Sequence, residues 1–162
     1  HKLPVMVAVI NALYLAPQQP PFRFDLPVIV TPHAGEMAHL TCNEKDEILA
    51  DPEGHAARAS QQWNAVVALK GARTLIASPD NSLWQHEGGN VGLAISGSGD
   101  TLAGIIAGLA ARGATLEQAA CWGVALHARA GDKLAERFGT LGYLAREIPH
   151  EIPALMESIA RG

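Results

Sequence analysis

In the run Ser96-Gly97-Ser98-Gly99-Asp100-Thr101, small residues lead straight into a long apolar stretch that reads as a helix. Glycine lets a backbone approach an anion without a Cβ clash, and the first amides of a helix have no intrahelical partner. The helix dipole adds partial positive charge, so a phosphate is the natural guest. Asp100 sets a carboxylate in the same first turn, an unfavourable place beside phosphate unless the charge acts on a nucleophile. There it would take a proton from an attacking hydroxyl while Gly97, Ser98 and Gly99 form an anion hole for the transferred group. Taken alone, the pattern also fits a glycine-rich loop in which Asp100 only stabilises a helix start.

Two further segments carry polar groups directly after strand-like runs. Lys70-Gly71-Ala72-Arg73-Thr74 follows the apolar run Ala65–Leu69. Ligands of open α/β sheets gather at the carboxyl ends of strands, where Lys70 and Arg73 would meet phosphates and Gly71 would allow close approach. Thr31-Pro32-His33-Ala34-Gly35-Glu36 follows Leu26–Val30. On a helix, His33 and Glu36 share a face. Glu36 would hold magnesium through a water, and His33 would contact substrate. Each segment alone reads equally as a turn or a helix start; three of them at strand ends make chance a poorer explanation.

The elements that must position these groups alternate. Leu3–Ile10, Leu26–Val30 and Ala65–Leu69 read as buried strands, and Thr74–Ala77 and Ser82–His86 as a pair joined by the turn Pro79-Asp80-Asn81. Asn11–Ala16 reads as a helical turn. Helices are expected after Thr31 or His33, from Glu44 behind an Asn43 cap, over Glu53–Trp63, from Asp100 to Arg112, and from a Thr115 cap to Phe138. Thr140 would cap a last helical region broken by Pro149 and Pro153. The alternation predicts an α/β fold with a mostly parallel sheet. Trp63, Trp84 and Trp122 read as core or edge packing, and His127, mid-helix among alanines, as packed rather than catalytic.

Composition narrows the partners. The chain has 162 residues, 48% of them hydrophobic, and a formal charge of −4 with no basic cluster, which argues against nucleic acid or an anionic membrane as the main partner. Cys42 and Cys121 lack metal-ligand spacing and read as reduced thiols of a cytosolic protein. His39, His55, His86 and His150 form no zinc pattern. The chain opens on His1 and enters a strand-like run almost at once, as a fragment would.

Thr31–Glu36, Leu69–Thr74, the run Gly88-Gly89-Asn90-Val91-Gly92-Leu93-Ala94 and the run from Ser96 to Gly113 follow one another in a recognisable order. From about Val5 to Met156 the chain resembles the ADP/ATP-dependent NAD(P)H-hydrate dehydratases, the YjeF-related carbohydrate kinases. The resemblance implies a ribokinase-like three-layer α/β/α sandwich with a mostly parallel sheet, residues 1–162 being the C-terminal portion of one such domain without its N-terminal part. It implies repair of NADHX and NADPHX: ADP or ATP phosphorylates the hydrate hydroxyl, and phosphate, a better leaving group than hydroxide, departs to restore the ring double bond. Asp100 would be the base and touch the hydrate, and His33 would contact it. Lys70, Gly71, Ala72, Arg73, Thr74 and Gly99 would line the nucleotide site, and Mg2+ would sit near Glu36. Where the family often reads Asp-Ala-Asp-Ala-Leu, this chain has Val9-Ile10-Asn11-Ala12-Leu13, leaving Asn11 as the polar residue toward substrate. A sheet short of its first strands would expose an edge, so a homo-oligomer is expected. A kinase of a small hydroxylated metabolite shares the same phosphate chemistry, and a nucleotide-binding relic without turnover shares the same fold.

Overall fold

The computed structural model describes residues 6–8, 23–26 and 28–161. Asn11 and the turn expected over 11–16 lie outside the described residues. Five strands form one sheet in the order β1 (Met6–Ala8), β2 (Val28–Val30), β3 (Val66–Leu69), β4 (Arg73–Ala77), β5 (Leu83–Glu87). The first three run parallel, Ile29 facing Val66 and Val30 facing Val67. Strands β4 and β5 turn back as an antiparallel hairpin, with Ile76 opposite Trp84 and Thr74 opposite His86. The sheet is therefore mixed, with its hairpin on one side.

Side chains alternate across the pleat and feed two separate cores. On one face Val28, Val30, Val67, Leu69 and Leu75 pack with Met37, Ile48, Ala56 and Trp63. These come from α1 (Ala34–Thr41), α2 (Lys45–Ala50) and α3 (Pro52–Trp63). On the other face Ile29, Val66, Ala68 and Ile76 pack with Leu102, Ile106, Ala120 and Val124. These belong to α4 (Ser98–Ala111) and α5 (Leu116–Phe138). Helices on both faces make three layers, as expected. A third cluster joins α5 to α6 (Ile148–Arg161) through Leu126, Leu134, Tyr143 and Leu155.

Local chemistry sets the helix limits. Asp51 ends α2 and caps α3, its carboxylate accepting from the Gly54 amide at 3.0 Å, with Pro52 at the first helical position. Helix α2 starts one residue later than the Asn43 cap implied: Glu44 is the cap residue, and the Asn43 amide bonds the His55 ring instead. Thr115 caps α5 reciprocally with Gln118. Gly123 lets α5 approach α4, since a Cβ there would stand 2.4 Å from Ile106 Cγ1. Pro153 does not break the last helix. The N–H it lacks would reach the Pro149 carbonyl, and both prolines are exposed, so the freed oxygen lies on the solvent side. Thr140 caps nothing; a 3-10 turn over Ala145–Glu147 leads into α6, with Glu147 accepting from the Leu144 amide.

Candidate functional site

Three of the polar segments meet at the ends of β2 and β3. The parallel pairing continues one step past the strands: the Lys70 amide donates to the Pro32 carbonyl at 2.7 Å, and His33 and Lys70 form a bridge. That pairing puts Lys70 beside the start of α1. Its ammonium lies 3.6 Å from Glu36 Oε2. The same ammonium reaches the start of α4, where a Cβ built on Gly99 would lie 3.3 Å from Nζ. One lysine thus links a carboxylate on one helix start to the backbone of another.

The two helix starts are finished differently. At α1 the Glu36 amide donates to His33 Nδ1 at 3.1 Å, and Glu36 Oε2 accepts from the His33 amide at 2.6 Å. The His33 ring is folded back over its own helix and leaves Nε2 3.5 Å from Glu36 Oε1. At α4 the cap residue is Gly97, in the left-handed region at φ 83°, and no side chain caps the helix. The Ser98 amide turns back to the Ile95 carbonyl, and the Thr101 amide closes on Gly97. The Gly99 and Asp100 amides have no acceptor among the described residues. Among the residues expected to form an anion hole, Gly97, Ser98 and Gly99, the Ser98 amide is spent on Ile95, while that of Gly99 is open, like that of Asp100. The Asp100 carboxylate is exposed and has no hydrogen bond or ion pair among the described residues.

Ser98 points into the protein. Its hydroxyl lies 3.1 Å from His127 Nε2, and the same nitrogen lies 3.1 Å from the Ser98 carbonyl oxygen. Burial holds His127 down to about 4; its bond to the Ser98 carbonyl opposes that shift, and the Lys70 charge adds to it. The ring is therefore neutral near pH 7. Sequence reasoning saw His127 as packing and missed its partner, because 29 residues separate it from Ser98.

Of the segment Lys70–Thr74, Lys70 faces the site, while the Arg73 guanidinium reaches Gln85 across the hairpin at 3.2 Å. Gly71 and Ala72 form the exposed turn into β4, and Thr74 pairs with His86. As for magnesium, no three ligating side chains converge among the described residues. Glu36 nonetheless fits an ion that arrives on phosphates. Oε2 is held by the His33 amide and Lys70, while Oε1, 3.5 Å from His33 Nε2, keeps a lone pair for a metal-bound water.

A three-layer α/β fold that gathers a lysine, a carboxylate and an uncapped helix start at its strand ends is of the ribokinase-like class. The family model described as NAD(P)H-hydrate dehydratase, of the carbohydrate kinase type, matches residues 3–154, and the chain belongs to that family. It is 52% identical over 136 residues to the ADP-dependent (S)-NAD(P)H-hydrate dehydratase of Xanthomonas campestris, covering 84% of this chain and 47% of that protein. It is 41% identical over 120 residues to the bifunctional NAD(P)H-hydrate repair enzyme Nnr of Escherichia coli, covering 74% of this chain and 23% of that one. The ADP/ATP-dependent NAD(P)H-hydrate dehydratase of Bacillus subtilis, co-crystallised with ATP and Mg2+, superposes with a TM-score of 0.85 at 28% identity. That match covers 95% of this chain and 55% of the other. The chain thus spans about half the length, or less, of the curated relatives it matches.

Proposed function

We propose that this chain carries the phosphoryl-transfer part of a nucleotide-dependent NAD(P)H-hydrate dehydratase, acting on NADHX and NADPHX with ADP or ATP. The observation that carries the reading is the placing of Lys70 Nζ between Glu36 and the open start of α4. The Gly99 and Asp100 amides and the Lys70 ammonium bind the terminal phosphate, stabilising charge as it spreads over the transferred oxygens. Asp100 accepts the proton of the hydrate hydroxyl as its oxygen attacks phosphorus and the shortened nucleotide leaves. The C–O bond of the phosphorylated hydrate then breaks, phosphate departs with the electron pair, and loss of a neighbouring ring proton forms the double bond. Glu36 would hold magnesium through a water, and the ion would supply neutralisation of phosphate charge there. In this reading His33 and Asn11 would contact the hydrate, and Lys70 would be the principal nucleotide contact of the Lys70–Thr74 segment, since Arg73 turns to Gln85. The unpaired Cys42 and Cys121 suit the reducing cytoplasm.

The test is a coupled assay on NADHX with ADP and with ATP, using this chain and an N-terminally extended form. Recovery of NADH absorbance with release of orthophosphate supports the reading. A stable phosphorylated product would identify a metabolite kinase instead, and nucleotide binding without turnover in both forms would identify a relic.

A further inference from the structure

Beneath the start of α4 lies a side chain that the mechanism above does not use. His127 sits in the middle of α5 and is 8% exposed. An imidazole buried between two helices costs stability unless it is hydrogen-bonded, and an apolar side chain would fill the same space without that cost. Both polar contacts of its Nε2 go to one residue, Ser98, through the hydroxyl and the carbonyl. Ser98 is the first residue of α4, and the next two amides are the open ones. The loop leading into Ser98 is fastened to the same helix α5: Asn90 Nδ2 donates to Asp132 Oδ1 at 3.0 Å. Asn90 Oδ1 in turn accepts from the Gly92 amide and the Tyr143 hydroxyl, both at 2.9 Å. An uncapped helix start has no side chain of its own to fix its direction. Here the fixing comes from below, through α5.

We propose that His127 is a positioning residue for phosphoryl transfer: through Ser98 it sets the direction in which the Gly99 and Asp100 amides face the transferred group. The inference rests on the reading of those amides as the phosphate site. Amides aimed at the transition state act on turnover more than on ground-state binding, where Lys70 and the rest of the nucleotide site also contribute. His127→Leu removes both contacts, His127→Gln keeps a nitrogen donor near Nε2, and Ser98→Ala removes only the hydroxyl.

The experiment compares the three variants with the wild-type chain by kcat and KM for nucleotide, and by the amide NMR shifts of Gly99 and Asp100 on adding ADP. With the fold intact, His127→Leu is expected to lower kcat about tenfold or more while KM changes less than about threefold, as for a small misplacement of catalytic groups. Its ADP-induced shifts at the two amides should fall to less than about half. His127→Gln should restore most of both, and Ser98→Ala, which leaves the carbonyl contact, should fall between. If His127→Leu does not fold, Ser98→Ala and His127→Gln carry the same test. Wild-type values of kcat and amide shifts in the folded variants would overturn the proposal, as would equal losses in the Leu and Gln variants that only track stability. Wild-type amides that do not respond to ADP would remove the phosphate site and the proposal with it. Wild-type amides that respond, with NADHX left unchanged by this chain and by its N-terminally extended form, would overturn the dehydratase reading alone.

Discussion

Helices α1 and α4 both begin at the carboxyl end of the sheet, a lysine side chain apart, yet α1 satisfies its first amides with its own side chains and α4 satisfies none that way. At α1, His33 and Glu36 cap each other. At α4, Gly97 offers no side chain, and the Gly99 and Asp100 amides have no acceptor among the described residues. A missing cap forfeits ~0.5–2 kcal/mol of stability. The difference separates a helix start closed by its own side chains from one left uncapped, and Lys70 lies between them, its ammonium 3.6 Å from Glu36 Oε2 and close to Gly99. That ammonium thus offsets the repulsion that the Glu36 carboxylate would exert on an anionic guest.

The comparison breaks most visibly at Asp100. Asp100→Asn should leave ADP affinity within about twofold and lower turnover by ~10² or more, the range for loss of a general base. Unchanged turnover on NADHX would remove Asp100 from the chemistry and leave α4 a simple anion-binding start.

Next comes the support under α4. His127 is depressed from 6.5 to about 4 in the folded chain. The unfolded chain binds this proton first as pH falls, so the contribution to stability is complete above about 6.5 and is lost as pH drops toward 4. Urea melts should show ~2 kcal/mol lost through this group between about pH 7 and about pH 5. His127→Gln should flatten that part of the profile; an unchanged slope would mean that the ring is charged or exposed.

Lys70→Ala tests the link between the two starts. It should weaken ADP binding by about tenfold or more, as for loss of a charge-assisted hydrogen bond, with little change in the melting temperature. Equal affinity by calorimetry would detach Lys70 from the nucleotide. The smallest effect belongs to the closed start: His33→Ala should cost ~1 kcal/mol of stability through the lost cap and leave ADP affinity unchanged. A marked loss of ADP binding would show that α1, too, holds the nucleotide.

The open start was legible in the sequence because its chemistry is local: glycines, a helix and an aspartate lie next to one another along the chain. Lys70 and Glu36 were legible as strand-end residues, but their mutual contact was not, since it depends on the parallel pairing that carries Lys70 onto Pro32. Choosing Gly97, Ser98 and Gly99 as the hole counted glycines; the backbone turn that sends the Ser98 amide to Ile95 carries no residue signature. The role of His127 was invisible for the same reason, because only the packing of α5 on α4 brings it to Ser98. At the end of the chain, Pro153 looked like a breaker, and its tolerance depends on the exposure of one carbonyl.

The central claim, that the uncapped start of α4 holds the transferred phosphate with Lys70, is tested most directly by a crystal structure of this chain with ADP and magnesium. The account predicts a terminal phosphate oxygen about 3 Å from the Gly99 and Asp100 amides and within reach of Lys70 Nζ. A nucleotide bound with its phosphates away from that helix start, those amides facing only solvent, would contradict it.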